Sequence, residues 1–323
     1  KKFPDQFKYE PEIKNSDKLD AHESYVIGGM GGSGLVAGII RALKPELDIV
    51  THHEYGLPKF VKAKNSSDES SAGERLFIAI SYSGNTEEAI SAYDKAKSLD
   101  LSVSVMTTGG KLLQIAKRDH LPYIEIPSTG IQPRSALGFT FKALLKFLGR
   151  EDALRNVENL SGELDTLSFE KTGKELAQRL KGYVPVIYSS RVNRPIAYNW
   201  KIKFNETGKI PAFYNVFPEL NHNEMTGFDT KGSTKLLSEK FSFIFLTDKT
   251  DHSNILKRMQ VTKRLYEDRG FFVEEVPIEG KDVFYKIFSS LVLADWIAYY
   301  TAENYGVEPE QVPMVEEFKL LIK

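Results

Sequence analysis

The chain contains no cysteine among its 323 residues. Disulfide bonds and thiolate chemistry are therefore excluded, although the redox compartment stays undecided. Net charge is almost absent as well, because 43 Lys and Arg side chains are balanced by 44 Asp and Glu side chains. A formal charge of −1 gives no electrostatic basis for binding nucleic acid or an anionic membrane surface.

Long uninterrupted hydrophobic runs are also missing. The most apolar stretch, residues 283–300, carries Lys286 and Asp295, which is not typical of a membrane span. The first residues, Lys-Lys-Phe-Pro-Asp-Gln-Phe, lack the apolar core of a secretory signal, and they lack an initiator Met. We therefore expect a cytoplasmic protein with no membrane or nucleic-acid partner.

The length and the rhythm of the chain predict two domains of the α/β class, residues 1–150 and 151–323. In each half, short apolar runs alternate with helical patterns, which is typical of a doubly wound parallel sheet covered by helices. Strands are predicted at 24–28, 48–52, 76–81, 102–107, 123–126, 184–189, 213–217, 241–247 and 271–277. Helices are predicted at 34–43, 86–98, 111–117, 195–205, 254–269 and 283–304, with further helices in 139–180. Residues 63–74 are polar and aperiodic, and we expect a surface loop there.

The serine turn, residues 81–86, lies between a predicted buried strand and a predicted helix. Three hydroxyl side chains, Ser81, Ser83 and Thr86, surround Gly84 and Asn85. A small-residue turn that feeds a helix N-terminus offers free backbone N–H groups and the positive end of the helix dipole. This pattern favours a phosphate site. The alternative is an ordinary capped turn, because Ser and Thr are common N-caps.

The glycine turn, residues 28–34, follows the first predicted strand. Three of its glycines have the spacing G-x-G-x-x-G: Gly29, Gly31 and Gly34. With Glu54 some way downstream, this is the outline of a dinucleotide-binding fingerprint. The alternative is a second phosphate- or sugar-binding turn that uses Gly32 and Ser33. We favour the alternative, because the carboxyl ends of neighbouring parallel strands share one crevice and Glu54 lies beyond its strand.

The glycine turn followed by Ser-Tyr-Ser-Gly-Asn-Thr-Glu-Glu resembles a sugar isomerase (SIS) domain. The second half narrows the resemblance, because residues 203–209, Lys-Phe-Asn-Glu-Thr-Gly-Lys, and 218–223, Pro-Glu-Leu-Asn-His-Asn, are similar to bifunctional phosphoglucose/phosphomannose isomerases. The tail at 305–309 and 315–319 is similar too. The resemblance covers nearly the whole chain in the right order, and only residues 63–74 depart from it.

This resemblance implies two SIS-type, flavodoxin-like domains in a homodimer. It implies interconversion of glucose 6-phosphate, and also mannose 6-phosphate, with fructose 6-phosphate through an enediol, without cofactor or metal. The implied substrate-binding residues are Gly32, Ser33, Ser81, Ser83 and Thr86.

The implied catalytic residues are Glu206, His222, Arg134 and Lys319. Glu206 would move the proton between C2 and C1, and Arg134 would stabilise the enediolate or hold the phosphate. His222, reaching the neighbouring subunit, and Lys319 would open the sugar ring. Each residue also has an ordinary structural alternative. Glu206 could be a solvated glutamate, Arg134 part of a surface ion pair, and His222 a surface histidine. Lys319 could lie on the polar face of a helix whose apolar side is 320–322.

Other functions fit the sequence less well. His52, His53 and Glu54 form the densest group of metal-ligand types, but neighbouring side chains of a strand point to opposite faces. A non-catalytic or regulatory sugar-phosphate-binding SIS protein needs the turns but no base, and usually carries a DNA-binding segment that we do not find. An amidotransferase-type isomerase would need a glutaminase-like segment, and a dehydrogenase depends on the dinucleotide interpretation of the glycine turn, which we do not favour.

Overall fold

The computed structural model describes residues 1–62, 75–230 and 232–322, so the predicted loop 63–74 lies outside the described residues. The chain divides into two compact units, Lys1–Glu163 and Leu164–Lys323. The boundary predicted after residue 150 differs by 13 residues, because a short helical segment that precedes Leu164 belongs to the first unit.

The first unit contains one parallel sheet. Its strands are β1 (Ser24–Gly28), β2 (Asp48–His52), β3 (Leu76–Ile80), β4 (Val103–Thr107) and β5 (Tyr123–Glu125). Their order is β2-β1-β3-β4-β5, and all pairs are parallel. This is the flavodoxin-like order, which reverses direction between β1 and β3. All five residues of β3 are buried, as expected of a central strand with helices on both faces.

Six α-helices accompany this sheet in the described residues: α1 (Gly31–Leu43), α2 (Glu87–Ser98), α3 (Gly110–Arg118), α4 (Leu137–Phe147), α5 (Glu151–Glu158) and α6 (Leu160–Glu163). Short 3₁₀ turns lie at Phe3–Lys8, Ser16–Lys18 and Pro133–Ser135. On one face of the sheet, a core cluster joins Phe77 and Val105 of the strands to Ala92, Tyr93 and Leu112 of the helices. The helix predicted at 34–43 begins three residues earlier, so Gly32 and Ser33 lie in its first turn.

The second unit repeats the arrangement with four parallel strands: β6 (Val184–Ser190), β7 (Phe213–Phe217), β8 (Phe241–Thr247) and β9 (Phe272–Pro277). Their order, β7-β6-β8-β9, equals the first four positions of the other sheet. The two units therefore share one strand order, although their sheets differ by one strand.

The helices of the second unit are α7 (Glu170–Arg179), α8 (Arg194–Glu206), α9 (Glu224–Gly227), α10 (Lys235–Ser238), α11 (Ser253–Glu267), α12 (Val283–Tyr305) and α13 (Pro313–Leu321), with 3₁₀ turns at Thr166–Phe169, Glu219–His222 and Gly232–Thr234. The long helix α12 starts at an Asp282 cap, whose carboxylate accepts two backbone N–H bonds, and it ends at Gly306 in the left-handed region. The predicted fold class, α/β with two parallel sheets, is confirmed.

Candidate active site

The glycine turn connects β1 to α1 and contacts the turn that carries Arg134. A Cβ atom built on Gly32 would lie 2.8 Å from the carbonyl carbon of Pro133 and 2.9 Å from the backbone nitrogen of Arg134. This approach leaves no room for a side chain, so glycine at position 32 lets the two segments touch. The Arg134 side chain is buried, and its guanidinium is therefore held inside the unit.

The serine turn is folded around the buried hydroxyl of Ser81. Its oxygen accepts backbone N–H bonds from Gly84 at 3.0 Å and from Thr86 at 3.4 Å, and lies 2.7 Å from the hydroxyl oxygen of Thr86. Because a hydroxyl accepts at most two hydrogen bonds, Ser81 donates its own proton to Thr86. The Thr86 proton and the exposed Ser83 hydroxyl then remain to donate to a ligand.

The two turns meet at one edge of the sheet. The backbone N–H of Tyr82 donates to the hydroxyl oxygen of Ser33 at 3.2 Å. The strands that lead into the turns are direct neighbours, with Gly28 of β1 opposite Ala79 of β3. The positive ends of α1 and α2 therefore point toward the same place as the hydroxyl groups, which favours binding of an anion.

The serine turn packs against the turn that connects β4 to α3. Gly84 has a φ of +71°, and a Cβ atom there would lie 1.8 Å from the carbonyl oxygen of Gly109. The first N–H groups of α3 are used to hold the turn: Leu112 donates to the carbonyl of Gly84 at 2.9 Å, and Lys111 donates to Asn85 Oδ1 at 3.0 Å. The sequence analysis missed this role of Asn85, although the Gly109-Gly110 pair, one residue beyond the end of β4, marks a close approach.

A histidine closes the glycine turn from its other side. The carbonyl oxygen of Gly29 lies 2.6 Å from Nδ1 of His53, and a carbonyl can only accept, so Nδ1 carries the proton. The ring also lies against Gly34, where a Cβ atom would be 2.7 Å from His53 Cε1. His53 thus contributes to the shape of the turn.

The N-terminal segment holds the turn of Arg134. The buried side chain of Gln6 donates to the carbonyl of Ser135 at 2.6 Å and accepts the backbone N–H of Gly138 at 2.9 Å. Gln6 therefore caps α4 and fixes the residue next to Arg134 in one step. Sequence reasoning missed Gln6, because no local pattern links it to a turn about 130 residues away.

In the second unit, Glu206 is the last residue of α8 and is partly buried. A carboxylate at the C-terminal end of a helix faces the negative end of the helix dipole, which does not favour it electrostatically. The ammonium group of Lys209 compensates, since it donates to the carbonyl of Glu206 at 2.6 Å and also to the carbonyl of Gln311. Lys209 thereby connects the end of α8 with the segment before α13.

His222 lies at the end of the 3₁₀ turn Glu219–His222, and its side chain is exposed. Within residues 1–62, 75–230 and 232–322, its imidazole makes no hydrogen bond or ion pair. Leu220, two residues earlier, is fully buried beneath the turn. The histidine is thus presented at the surface of a segment that is itself anchored.

Lys319 lies on α13 and pairs with Glu316 at 2.6 Å, and both side chains are exposed. No residue of α13 is buried, and its large apolar side chains are exposed, together with the one that follows it: Met314, Val315, Phe318, Leu320, Leu321 and Ile322. The residues 320–322, expected to form the apolar side of this helix, are open to solvent here. A role in ring opening would require Lys319 to leave Glu316.

Neither a metal centre nor a membrane span stands out in the part of the chain that the structure describes. No three His, Asp or Glu side chains there are grouped to hold a metal ion. No described helix is long and apolar enough to cross a bilayer.

Comparison with known proteins gives the family. The family model of the bacterial phospho-glucose isomerase C-terminal SIS domain matches residues 169–322. A bifunctional phosphoglucose/phosphomannose isomerase of Aquifex aeolicus is 33% identical over 323 residues, which covers 99% of this chain and 96% of the relative. Another of the same name from Thermoplasma volcanium is 35% identical over 312 residues, 94% of this chain and 93% of that protein. The chain belongs to the bifunctional phosphoglucose/phosphomannose isomerase family.

Solved structures agree on the fold. The tagatose-6-phosphate ketose/aldose isomerase of Escherichia coli superimposes with a TM-score of 0.65, at 16% identity, over 91% of this chain and 87% of that one. At that identity, the likeness shows a shared fold only.

The site residues expected for this isomerase family are distributed over the two units. The first unit brings Gly32, Ser33 and the serine turn together, with the turn of Arg134 against them. The second unit holds Glu206, His222 and Lys319 on three separate elements. The role of each residue stays a prediction.

Proposed function

We propose that this chain interconverts glucose 6-phosphate and mannose 6-phosphate with fructose 6-phosphate, as a cytoplasmic aldose–ketose isomerase. The observation that carries the proposal is the convergence of the glycine turn, the serine turn and the Arg134 turn in a member of this isomerase family. The three turns offer backbone donors, hydroxyl groups and a cation to one anionic ligand, without any negatively charged side chain in the turns themselves.

The phosphate of the sugar would be held by the serine turn. Thr86 and Ser83 would donate through their hydroxyl groups, while Ser81 both fixes the turn and lies within it. Gly32 and Ser33 would line the sugar. Because these contacts are equal in the ground state and the transition state, they would set substrate affinity rather than the chemical step.

Ring opening would be the first chemical step. A proton leaves the anomeric hydroxyl and a proton is delivered to the ring oxygen, so that the C1–O5 bond breaks and C1 becomes an aldehyde. An imidazole changes its protonation near neutral pH, which suits His222 for this transfer. The ammonium of Lys319 would stabilise the oxygen that develops negative charge.

Isomerisation would then proceed through a cis-enediol. Glu206 removes the proton from C2, the C1 aldehyde oxygen gains a proton, and the same carboxyl group returns a proton to C1 while the C2 hydroxyl becomes a ketone. The guanidinium of Arg134 would stabilise the negative charge of the enediolate. Glucose and mannose 6-phosphates differ only at C2, and both lose that difference in the enediol.

We further propose a homodimer in which His222 acts in the site of the neighbouring subunit. Two observations support it: His222 is exposed at the end of an anchored turn, and α13 presents a row of uncovered apolar side chains. A contiguous exposed apolar surface is typical of an interaction site.

A coupled assay with glucose, mannose and fructose 6-phosphates, in the presence of a chelator, tests the reaction. Turnover of at least one aldose to the ketose is expected. Binding of the sugar phosphates without turnover would instead support the alternative, a regulatory sugar-phosphate-binding protein.

Glu206→Gln tests the base. The variant should lose C2 proton exchange in deuterated water, by roughly 100-fold or more, and should bind fructose 6-phosphate with nearly unchanged affinity in calorimetry. Glu239→Gln makes the same exchange at an exposed position that is not among the proposed site residues, and this control variant should behave like the wild type. Exchange that persists in Glu206→Gln would place the base on another residue.

A further inference from the structure

The segment that carries His222 is fastened to the second unit on both sides of the histidine. It consists of the 3₁₀ turn Glu219–His222 and the short helix α9. Asn221 precedes the histidine and Glu224 follows it by two residues, and each makes side-chain hydrogen bonds to a different part of the unit.

Glu224 joins this segment to the sheet. Its carboxylate accepts one hydrogen bond from the hydroxyl of Tyr188 on β6 and another from the side-chain amide of Asn215 on β7. Tyr188 is fully buried, and burial, together with the charges of Tyr266 and Glu224, raises the pKa of Tyr188 far above its ordinary value. The tyrosine therefore keeps its proton and acts as a constant donor to the carboxylate.

Asn221 joins the other side of the segment to α11. Its amide nitrogen donates to the hydroxyl of Thr262 at 2.8 Å, and its amide oxygen accepts from Arg258 at 3.4 Å. Thr262 is buried, so this bond is partly shielded from solvent. The backbone around His222 is thus tied to β6, β7 and α11 at once.

Stability alone explains this arrangement poorly. Leu220 and Phe217 already bury apolar surface under the segment, whereas bringing the carboxylate of Glu224 against a buried tyrosine has a desolvation cost. Polar contacts of this kind specify one geometry rather than adding much free energy. The residue whose geometry they specify is the exposed histidine between them.

We propose that Glu224 and Asn221 are positioning residues, which hold the backbone of His222 so that its imidazole is placed for proton transfer to the sugar ring. This rests on the proposed function of His222. A displacement of about 1 Å can lower a rate by about 100-fold, so two fixed points around one exposed side chain are enough to matter. The carboxylate of Glu224 itself touches no substrate in this proposal.

Tyr188→Phe is the sharpest test, because it removes only the hydroxyl that donates to Glu224. We expect kcat to fall by about 10-fold or more, with KM changed by less than about 3-fold and with a cooperative thermal transition. Tyr300→Phe is the matched control: it also removes a tyrosine hydroxyl that donates to a glutamate, here Glu170 at 2.6 Å, but from α12 rather than from beneath the His222 segment, and its kcat should stay near the wild-type value. Asn221→Ala, on the other side of the histidine, should repeat the effect of Tyr188→Phe.

The same substitutions in a His222→Ala background separate positioning from a general structural effect. If Tyr188 acts through His222, Tyr188→Phe should change kcat by less than about 2-fold once His222 is gone. An equal loss in both backgrounds would overturn the proposal, as would a wild-type kcat in Tyr188→Phe and Asn221→Ala. A His222→Ala variant with full activity would overturn both this inference and the proposed role of His222, whereas full loss in His222→Ala with no effect of the neighbours would overturn this inference alone.

Discussion

At the scale of single residues, the candidate phosphate site depends on places where no side chain fits. Gly32 allows the backbone of Pro133 and Arg134 to pass, and Gly84 allows the carbonyl of Gly109 to approach. Hydroxyl groups also shape the site, since the hydroxyl of Ser81 uses all of its hydrogen-bonding capacity inside the serine turn. Small residues here serve geometry first and ligand contact second.

Gly84→Ala tests this at one position. Its φ of +71° costs an L-residue about 1–2 kcal/mol, and the added Cβ would collide with the carbonyl of Gly109, so the serine turn must move. We expect the KM for hexose phosphates to rise at least about 10-fold, because a phosphate contact is lost. Gly130→Ala is the control: its φ of +74° gives equal backbone strain, but the space around it is open. Equal KM values in both variants would contradict this account.

At the scale of secondary-structure elements, the segments of the candidate site are held by side chains from outside each helix. Gln6 caps α4 and binds Ser135, Asn85 caps α3, and Lys209 connects the end of α8 with Gln311. In each case, a helix end that would leave backbone groups without partners is completed by a side chain or carbonyl from another element. Capping and positioning of the site are therefore the same interaction here.

Gln6→Met should destabilise the first unit by about 1–3 kcal/mol, because the substitution keeps the shape but leaves the carbonyl of Ser135 and the N–H of Gly138 without their partner. Chemical denaturation followed by circular dichroism measures the change. Gln114→Met on α3 makes the same exchange at an exposed position and should leave the unfolding free energy within about 0.5 kcal/mol of wild type. A Gln6 variant as stable as the control would show that Gln6 does not hold the turn.

At the scale of the whole molecule, two units share one strand order but not one site. The crevice between β6 and β8 is the counterpart of the proposed phosphate site between β1 and β3. It holds Asp248, which accepts hydrogen bonds from Lys286 at 2.5 Å and from Asn193 at 3.0 Å, with Asp251 nearby in sequence. The ammonium of Lys286 already lies in this second crevice, and the carboxylates of the crevice would repel a phosphate.

Calorimetry with fructose 6-phosphate should therefore find one binding site per chain. The reason is that the carboxylates of Asp248 and Asp251 would repel a phosphate in the second unit. The ammonium of Lys286 does not offset this repulsion, because it is already paired with Asp248. A stoichiometry of two per chain would contradict the assignment, and Ser83→Ala should weaken the single site if it is the one in the first unit.

The Asp248–Lys286 pair should also shape stability in acid. Burial alone would raise the pKa of Asp248, but bonds from Lys286, Thr250 and Asn193 outweigh burial and leave the pKa below its ordinary value. Since the folded protein holds this proton less tightly than the unfolded chain, the stabilisation is complete above the unfolded pKa, about 4, and is lost as pH falls through the folded pKa.

Asp248→Asn should lower the unfolding free energy at pH 6 by roughly 3 kcal/mol and flatten its dependence below about pH 4. Asp248→Asn combined with Lys286→Met should recover part of the loss, because no partly buried ammonium is left without its carboxylate partner. Unfolding curves from pH 2 to 7 measure both effects, and an unchanged acid slope in Asp248→Asn would assign the dependence to other carboxyl groups.

The sequence by itself determined what is local: the alternation of strands and helices, the parallel α/β class, and the two turns that follow buried strands. Periodicity and turn chemistry act over a few residues, so they are legible in a single chain. The start of α1 at Gly31 is a small departure, because glycines that look like a loop also form a first helical turn.

Only the tertiary structure decided which distant residues meet. Gln6 reaches Ser135, Gly84 reaches Gly109, and Glu224 reaches Tyr188, and each pair depends on strand order and on the register of neighbouring elements. No local window contains that information, because the free energy of such contacts appears only after the sheet has assembled. The residues that position the candidate catalytic groups therefore became visible only in the fold.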